Sequence, residues 1–118
     1  MIHIVVGNRY KVERKMYASA AQNYLDQKGI EQDAQVNIIF VGKRKMTEIA
    51  AKYKNERVAL PVLSFSYMSD PEYEKEKLIG EVYLCYPQVV LLAAEKDKSV
   101  DTMMIEMIEH GINNLLSN

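Results

Sequence analysis

Apolar residues recur along this chain in two rhythms. Ile2-His3-Ile4-Val5-Val6 is a short β-branched run closed by Gly7-Asn8, and Val36-Asn37-Ile38-Ile39-Phe40-Val41 is a second run closed by Gly42. Both have the composition of buried strands ended by a turn. Val62-Leu63-Ser64-Phe65 predicts a third strand, with Pro61 just ahead of it, where a missing N–H is tolerated because the ladder is only beginning. Residues 80–86 alternate Val82, Leu84 and Tyr86 and predict a fourth.

The second rhythm is helical. Over residues 9–28, Val12, Met16, Ala20 and Tyr24 recur every four positions, with Tyr17, Ala21 and Leu25 beside them and Gly29 following as a C-terminal cap. Residues 43–53 place Met46, Ile49, Ala50 and Tyr53 at helical spacing. Pro87 suits a first helical turn, so a short helix is expected over residues 88–96, and Ser99-Val100-Asp101 offers capping residues to a last helix over about residues 102–116. Residues 69–77, charged and containing Asp70-Pro71, read as a loop. The order β-α-β-α-β-β-α-α predicts an α+β fold, a mixed four-stranded sheet with helices packed on it, in one layered domain over residues 1–118.

Composition adds limits. At 118 residues the chain folds without staples, burying about 65% of its unfolded surface. A single cysteine, Cys85, allows no internal disulfide and points to a reducing cytoplasm. No apolar run approaches the ~20 residues that span a bilayer, and Met1 leads into the first strand with no basic leader or cleavage site, so neither membrane nor export is expected. The net charge of −1 hides a polarity: residues 1–60 hold eleven Lys/Arg against six Asp/Glu, and residues 61–118 hold four against ten. That asymmetry is either solvated surface or a partner-facing field. Lys43, Arg44, Lys45, Lys52, Lys54 and Arg57 could follow an RNA backbone, although they do not fall on one helical face. No glycine-rich phosphate loop, Cys-x-x-Cys pair or nucleophile elbow is present, so nucleotide hydrolysis, redox and serine chemistry have no support.

The last helix carries the most information. Ile105, Ile108, Ile112, Leu115 and Leu116 form one apolar stripe, while Met103, Met107, His110 and Asn114 lie opposite, so the helix is expected to be central and largely covered. Gly111 costs about 1 kcal/mol against alanine inside a helix, which suggests that something approaches the backbone there. His110-Gly111-Ile112-Asn113-Asn114-Leu115-Leu116 resembles the H-G-x-x-H-L-L segment of the YbeY family of bacterial rRNA-maturation metalloproteins. Tyr53-Lys54 resembles that family's Asn-x-x-Tyr-Arg helix end, Val62-Leu63-Ser64-Phe65 its Thr-Asp-Val-Leu-Ser-Phe strand, and Gly80-Glu81-Val82 its Gly-Asp-Ile strand.

The resemblance implies a zinc-dependent endoribonuclease of rRNA processing. There, three histidines hold the metal and leave a fourth position for water, whose pKa falls toward 7. His110 matches the first ligand, Asn114 stands at the second, and the third would fall at position 120, past Asn118. A truncated chain accounts for the third alone. Lys54 stands at the family's arginine position, keeping the charge and losing the bidentate fork, and Leu60-Pro61 replaces Thr-Asp.

Further ligands for His110 would have to come from Glu106, one turn away, or from Cys85. The bland reading makes His110 a hydrogen-bonded core residue, bonded across one turn to Asn114. His3 either points toward the site or simply fills a strand, Cys85 reads as a small core residue, and Met103, Met104 and Met107 as core filler. Three functions remain: a non-catalytic relative that binds rRNA or ribosomal small-subunit components, a conditional zinc-dependent ribonuclease with Lys54 on the substrate side, and an interaction domain without RNA.

Overall fold

The computed structural model describes residues 1–7, 9–70 and 76–117. Its elements are β1 (Ile2–Val6), α1 (Arg14–Gln27), β2 (Gln35–Val41), α2 (Lys43–Tyr53), β3 (Val62–Ser66), β4 (Leu78–Cys85), α3 (Tyr86–Glu95) and α4 (Val100–Leu116). The strands form one sheet in the order β1-β2-β4-β3. β1 and β2 are parallel, as are β2 and β4, and β3 runs antiparallel to β4 with Ser64 opposite Val82. This is the mixed α+β sheet that the patterning implies. The loop expected over residues 69–77 falls largely on residues 71–75, outside the described residues, as does Asn8 of the expected turn.

Strand alternation gives the sheet two unlike faces. Val36, Ile38, Phe40, Val82 and Leu84 face the main core with α1, α3 and α4, whose Tyr17, Ala21, Leu25, Val89, Ile108, Ile112 and Leu115 are buried against them. Leu63 and Cys85 face the other way and meet Met46 and Ile49 of α2. Among the described residues this second face is thinly covered beyond α2, and His3 and Val5 of the edge strand β1 are exposed on it.

α4 packs on β3, β4, α1 and α3. Ser99 caps its N-terminus by accepting a hydrogen bond from the Thr102 N–H at 3.1 Å. Tyr17 Oη then donates to Asp101 Oδ1 at 2.6 Å, tying α1 to the first turn. Burial and that bond push the tyrosine's pKa well above its ordinary value, so it remains a donor. At Gly111 an added Cβ would lie 2.4 Å from Val82 Cγ1, and at Gly80 it would lie 2.3 Å from the Phe65 carbonyl oxygen and 2.7 Å from Leu115 Cδ2. Helix and sheet therefore meet backbone to side chain, which is the close approach that the interior glycine of α4 implied.

Four expectations are corrected. α1 begins at Arg14 rather than residue 9, because Tyr10 is held outside the helix, its ring stacked on Tyr86 with centroids 4.7 Å apart. Its buried stripe is Tyr17, Ala21 and Leu25, while Met16 is 42% exposed. Tyr86 opens α3 instead of closing β4, with Pro87 in the first turn. In α4 the buried set is Met103, Met104, Ile108, Gly111, Ile112 and Leu115, so the face expected to be covered is covered at Met103 and exposed at His110 and Asn114. The C-terminal cap of α1 matches its expectation: Gly29 has φ +73°, its N–H reaches the Asp26 carbonyl, and the Ile30 N–H reaches Leu25.

The close approach at Gly111 makes a stability prediction. Gly111→Ala should destabilise the fold by about 1–2 kcal/mol in denaturant titration, overpacking outweighing the gain in helix propensity. Combined with Val82→Ala, the total loss should be smaller than the sum of the single losses. Simple additivity would show that the two positions do not press on each other.

Candidate functional site

The C-terminal half of α4 and the C-terminal end of α2 frame a groove along the free edge of the sheet. Lys54, Glu56, Leu60, Val62, Leu63, Ser64, Asn114 and Ser117 line it, so its one cation stands beside one carboxylate, and its volume is about 450 Å³. Lys54 reaches it as the C-cap of α2, where a cation also suits the negative end of the helix dipole. Asn55 beyond it has φ 55°, a left-handed conformation that asparagine tolerates, and this turns the chain away from the helix axis toward β3. Ser64 anchors the groove's floor: its Oγ donates to the Gly111 carbonyl at 2.9 Å, fixing β3 against the helix.

Asn114 lies one turn beyond His110 on the same face of α4. Both are exposed, so His110 is not the hydrogen-bonded core residue that the bland reading made it. Among the described residues no hydrogen bond joins His110 to Asn114. Neither further candidate ligand is available to His110. The Glu106 carboxylate is paired with Lys98 at 2.6 Å. Cys85 is buried on the opposite face of the sheet, beside Met46 and Leu63, and burial pushes its thiol pKa up, keeping it a neutral core residue. His3 is likewise remote from a covered site: it is exposed on edge strand β1, with Nε2 3.0 Å from Gln35 Oε1. Arg57 is exposed in the turn after α2 and does not line the groove.

Comparison with known proteins decides the family. The family model described as "Endoribonuclease YbeY" matches residues 5–117. The chain belongs to the YbeY family. Curated relatives named Endoribonuclease YbeY include one from Azoarcus sp. (strain BH72), 32% identical over 92 residues, covering 75% of this chain and 36% of the relative. One from Desulforamulus reducens is 29% identical over 106 residues, covering 86% and 69%, and one from Alteromonas mediterranea is 28% identical over 104 residues, covering 88% and 63%. The chain thus spans between about a third and about two thirds of these relatives' lengths. The solution structure of TM1509 from Thermotoga maritima shares the fold, with a TM-score of 0.65 at 24% identity, covering 98% of this chain and 71% of that one.

The YbeY positions named from sequence separate on the structure. Lys54, Leu60 and Asn114 share the groove, whereas Pro61 lies on its other side, beside Gln88 and Leu91 of α3. The zinc implied by the family finds a poor donor set here. One exposed imidazole and one neutral amide are adjacent, and among the described residues no group of three His, Cys, Asp or Glu could hold a metal ion.

Sequence reasoning missed a second feature entirely. Between α2 and the thinly covered sheet face is a hollow of about 550 Å³ lined by Lys45, Lys52, Tyr53, Phe65, Tyr67, Glu81 and Tyr83, together with Glu48 and Ile49. Its residues come from α2, β3, β4 and the turn after β3, so no spacing in the sequence announces it. The available signal was alternation in β4, which puts Glu81 and Tyr83 on the face opposite Val82 and Leu84.

Substituting Asn114→His tests the geometry of the α4 face. Two imidazoles at i and i+4, with Cβ atoms roughly 5–6 Å apart, can chelate one metal but leave its shell open. Zinc affinity, measured by competition with a chromogenic chelator, should rise yet remain weak. No rise at all would show that positions 110 and 114 do not converge on one point.

Proposed function

We propose that the chain, over residues 1–118, is one YbeY-like domain that binds single-stranded rRNA or a ribosomal small-subunit component without metal-dependent cleavage. The observation that carries this is Asn114. It sits in the Lys54 groove, one turn from His110, at the position where the family motif has its second histidine. An amide oxygen is a weak ligand for zinc, so the retained scaffold presents hydrogen-bonding groups where the resemblance implies a metal. Lys54, Arg57 and the basic N-terminal half supply cations for the phosphates, with Lys54 acting as a point charge in place of an arginine fork. No helix among the described residues is long and apolar enough to cross a membrane. The cysteine usage agrees with a reducing cytoplasm.

The second reading, a zinc-dependent endoribonuclease of rRNA processing, is favoured by the name carried by the curated relatives and by the retained His110 and Gly111. It requires ligands from outside the set described above, and no step through zinc follows from the residues present.

Anisotropy titrations and cleavage assays with single-stranded fragments of small-subunit rRNA separate the readings. Affinity should fall steeply as salt rises, and Lys54→Glu with Arg57→Glu should weaken it and reduce the salt slope by about one for each phosphate no longer neutralised. Hydrolysis should stay at background with or without chelator. Chelator-sensitive cleavage that disappears in His110→Ala would establish the ribonuclease. Binding indifferent to salt and to both reversals would instead mark an interaction domain without RNA.

A further inference from the structure

The hollow on the second sheet face has three properties that together specify a ligand. First, it is walled by aromatic rings set at steep angles. Tyr53 meets Phe65 edge to face with centroids 5.0 Å apart and an interplanar angle of 73°, and Phe65 meets Tyr83 at 5.7 Å and 89°. Tyr53 is 58% exposed although it closes an amphipathic helix, so its ring is open to a flat partner. Second, the hollow contains a carboxylate held in place from two sides. Tyr67 Oη donates to Glu81 Oε1 at 2.8 Å, and Asn37 Nδ2 donates to Oε2 at 3.3 Å. Burial, with the bond to Glu81 adding to it, pushes the Tyr67 phenol up to about 12, so it remains the donor of that bond. A carboxylate has about four acceptor sites, so Glu81 keeps lone-pair capacity after these bonds and the hydrogen bond from the Tyr83 phenol. Third, Lys45 and Lys52 of α2 stand at the hollow's margin, with Lys52 Nζ 5.2 Å from the Tyr53 ring centroid.

A flat ring that stacks, carries two adjacent N–H donors and is attached to a phosphate satisfies all three. We propose that this hollow is a binding site for an unpaired guanine of single-stranded RNA, its N1–H and N2–H donors paired with the two oxygens of Glu81. Uracil, cytosine and adenine each present fewer adjacent donors on that edge, so the fixed carboxylate discriminates among bases while the rings add stacking that every base shares. An arginine side chain offers a similar fork, but once Glu81 is paired with the ligand's donors, Lys45 and Lys52 outnumber the Glu48 carboxylate and favour a ligand that carries a phosphate.

The site is separate from the Lys54 groove and close to it in sequence and strand. Tyr53 and Lys54 are consecutive at the end of α2. In the edge strand β3, Phe65 lines the hollow and Ser64 lines the groove, so the two sites flank one strand edge from opposite faces. A single RNA strand crossing β3 would reach both. The inference rests on the RNA reading of the chain, and it adds base selection on a face which that reading does not use.

The test uses fluorescein-labelled RNA pentamers UUGUU, UUAUU, UUCUU and UUUUU, titrated by anisotropy against the native chain, Glu81→Gln and Tyr53→Ala, with circular dichroism confirming that each variant is folded. UUGUU should bind about tenfold more tightly than UUUUU, as a good bidentate base contact allows. Glu81→Gln preserves the size of the side chain and removes one acceptor, and should bring that ratio to about one. Tyr53→Ala, at an exposed position, should weaken every pentamer by about tenfold as stacking disappears. Because the ratio compares sequences within one protein, a general loss of affinity from charge reversal at Lys54 leaves it readable. A ratio of one in the native chain, or a ratio unchanged by Glu81→Gln, overturns the proposal. So does binding of the peptide Gly-Arg-Gly-Arg-Gly that depends on Glu81 when no pentamer binds.

Discussion

The structure depends on how closely α4 lies on the sheet. At Gly111 the helix backbone comes so near Val82 that even a methyl group would collide, and at Gly80 the strand is pressed between the Phe65 carbonyl and Leu115. Interiors packed at crystal-like density do not yield to such collisions without movement of a whole element. The two glycines therefore fix the height and rotation of α4 over β3 and β4. The Ser64 bond to the Gly111 carbonyl fixes the same approach from the edge strand. With the rotation set, Met104, Ile108, Ile112 and Leu115 are buried, His110 and Asn114 are exposed, and Asn114 lines the groove with Lys54 at the end of α2.

That placement separates scaffold from chemistry. Gly111, Ser64 and the edge strand β3 position the groove that Lys54 and Asn114 line. The groups offered to it differ from the motif: Asn114 is an amide where the motif has imidazole, Lys54 stands at its arginine and Leu60 at its threonine. An amide is a poorer zinc donor than imidazole, and a lysine lacks the bidentate fork of arginine. Asn114 and Lys54 are exposed and Leu60 is half-buried, so the buried stripe of α4 does not depend on them. The sheet face beyond α2 is independent of that groove, since none of its aromatic side chains takes part in the packing at Gly111.

The sequence made element type and order legible because the strands are short β-branched runs and the helices have clear periodicity. It misplaced the faces of the helices. In α1 the choice between Met16 and Tyr17 as the buried position is settled by the Tyr17 bond to Asp101, 84 residues away, and by stacking of Tyr10 on Tyr86, neither of which leaves a local trace. In α4 the apolar residues nearly encircle the helix, so periodicity alone did not show that the His110 side was open. Gly111 was legible for the opposite reason: a glycine inside a helix has a local cost that only a tertiary approach explains. The groove was half legible, since resemblance brought Lys54 and Asn114 together although the chain separates them by sixty positions. The aromatic hollow was not, because its members meet only when β3, β4 and α2 are assembled.

Whether the YbeY scaffold of this chain presents a donor set that does not hold zinc is tested most directly by the metal content of the purified native chain. Elemental analysis after exhaustive dialysis should find well under one zinc per chain, since one imidazole and one amide cannot supply the three or four ligands such a site needs. One zinc per chain, retained through dialysis and absent from His110→Ala, would contradict it.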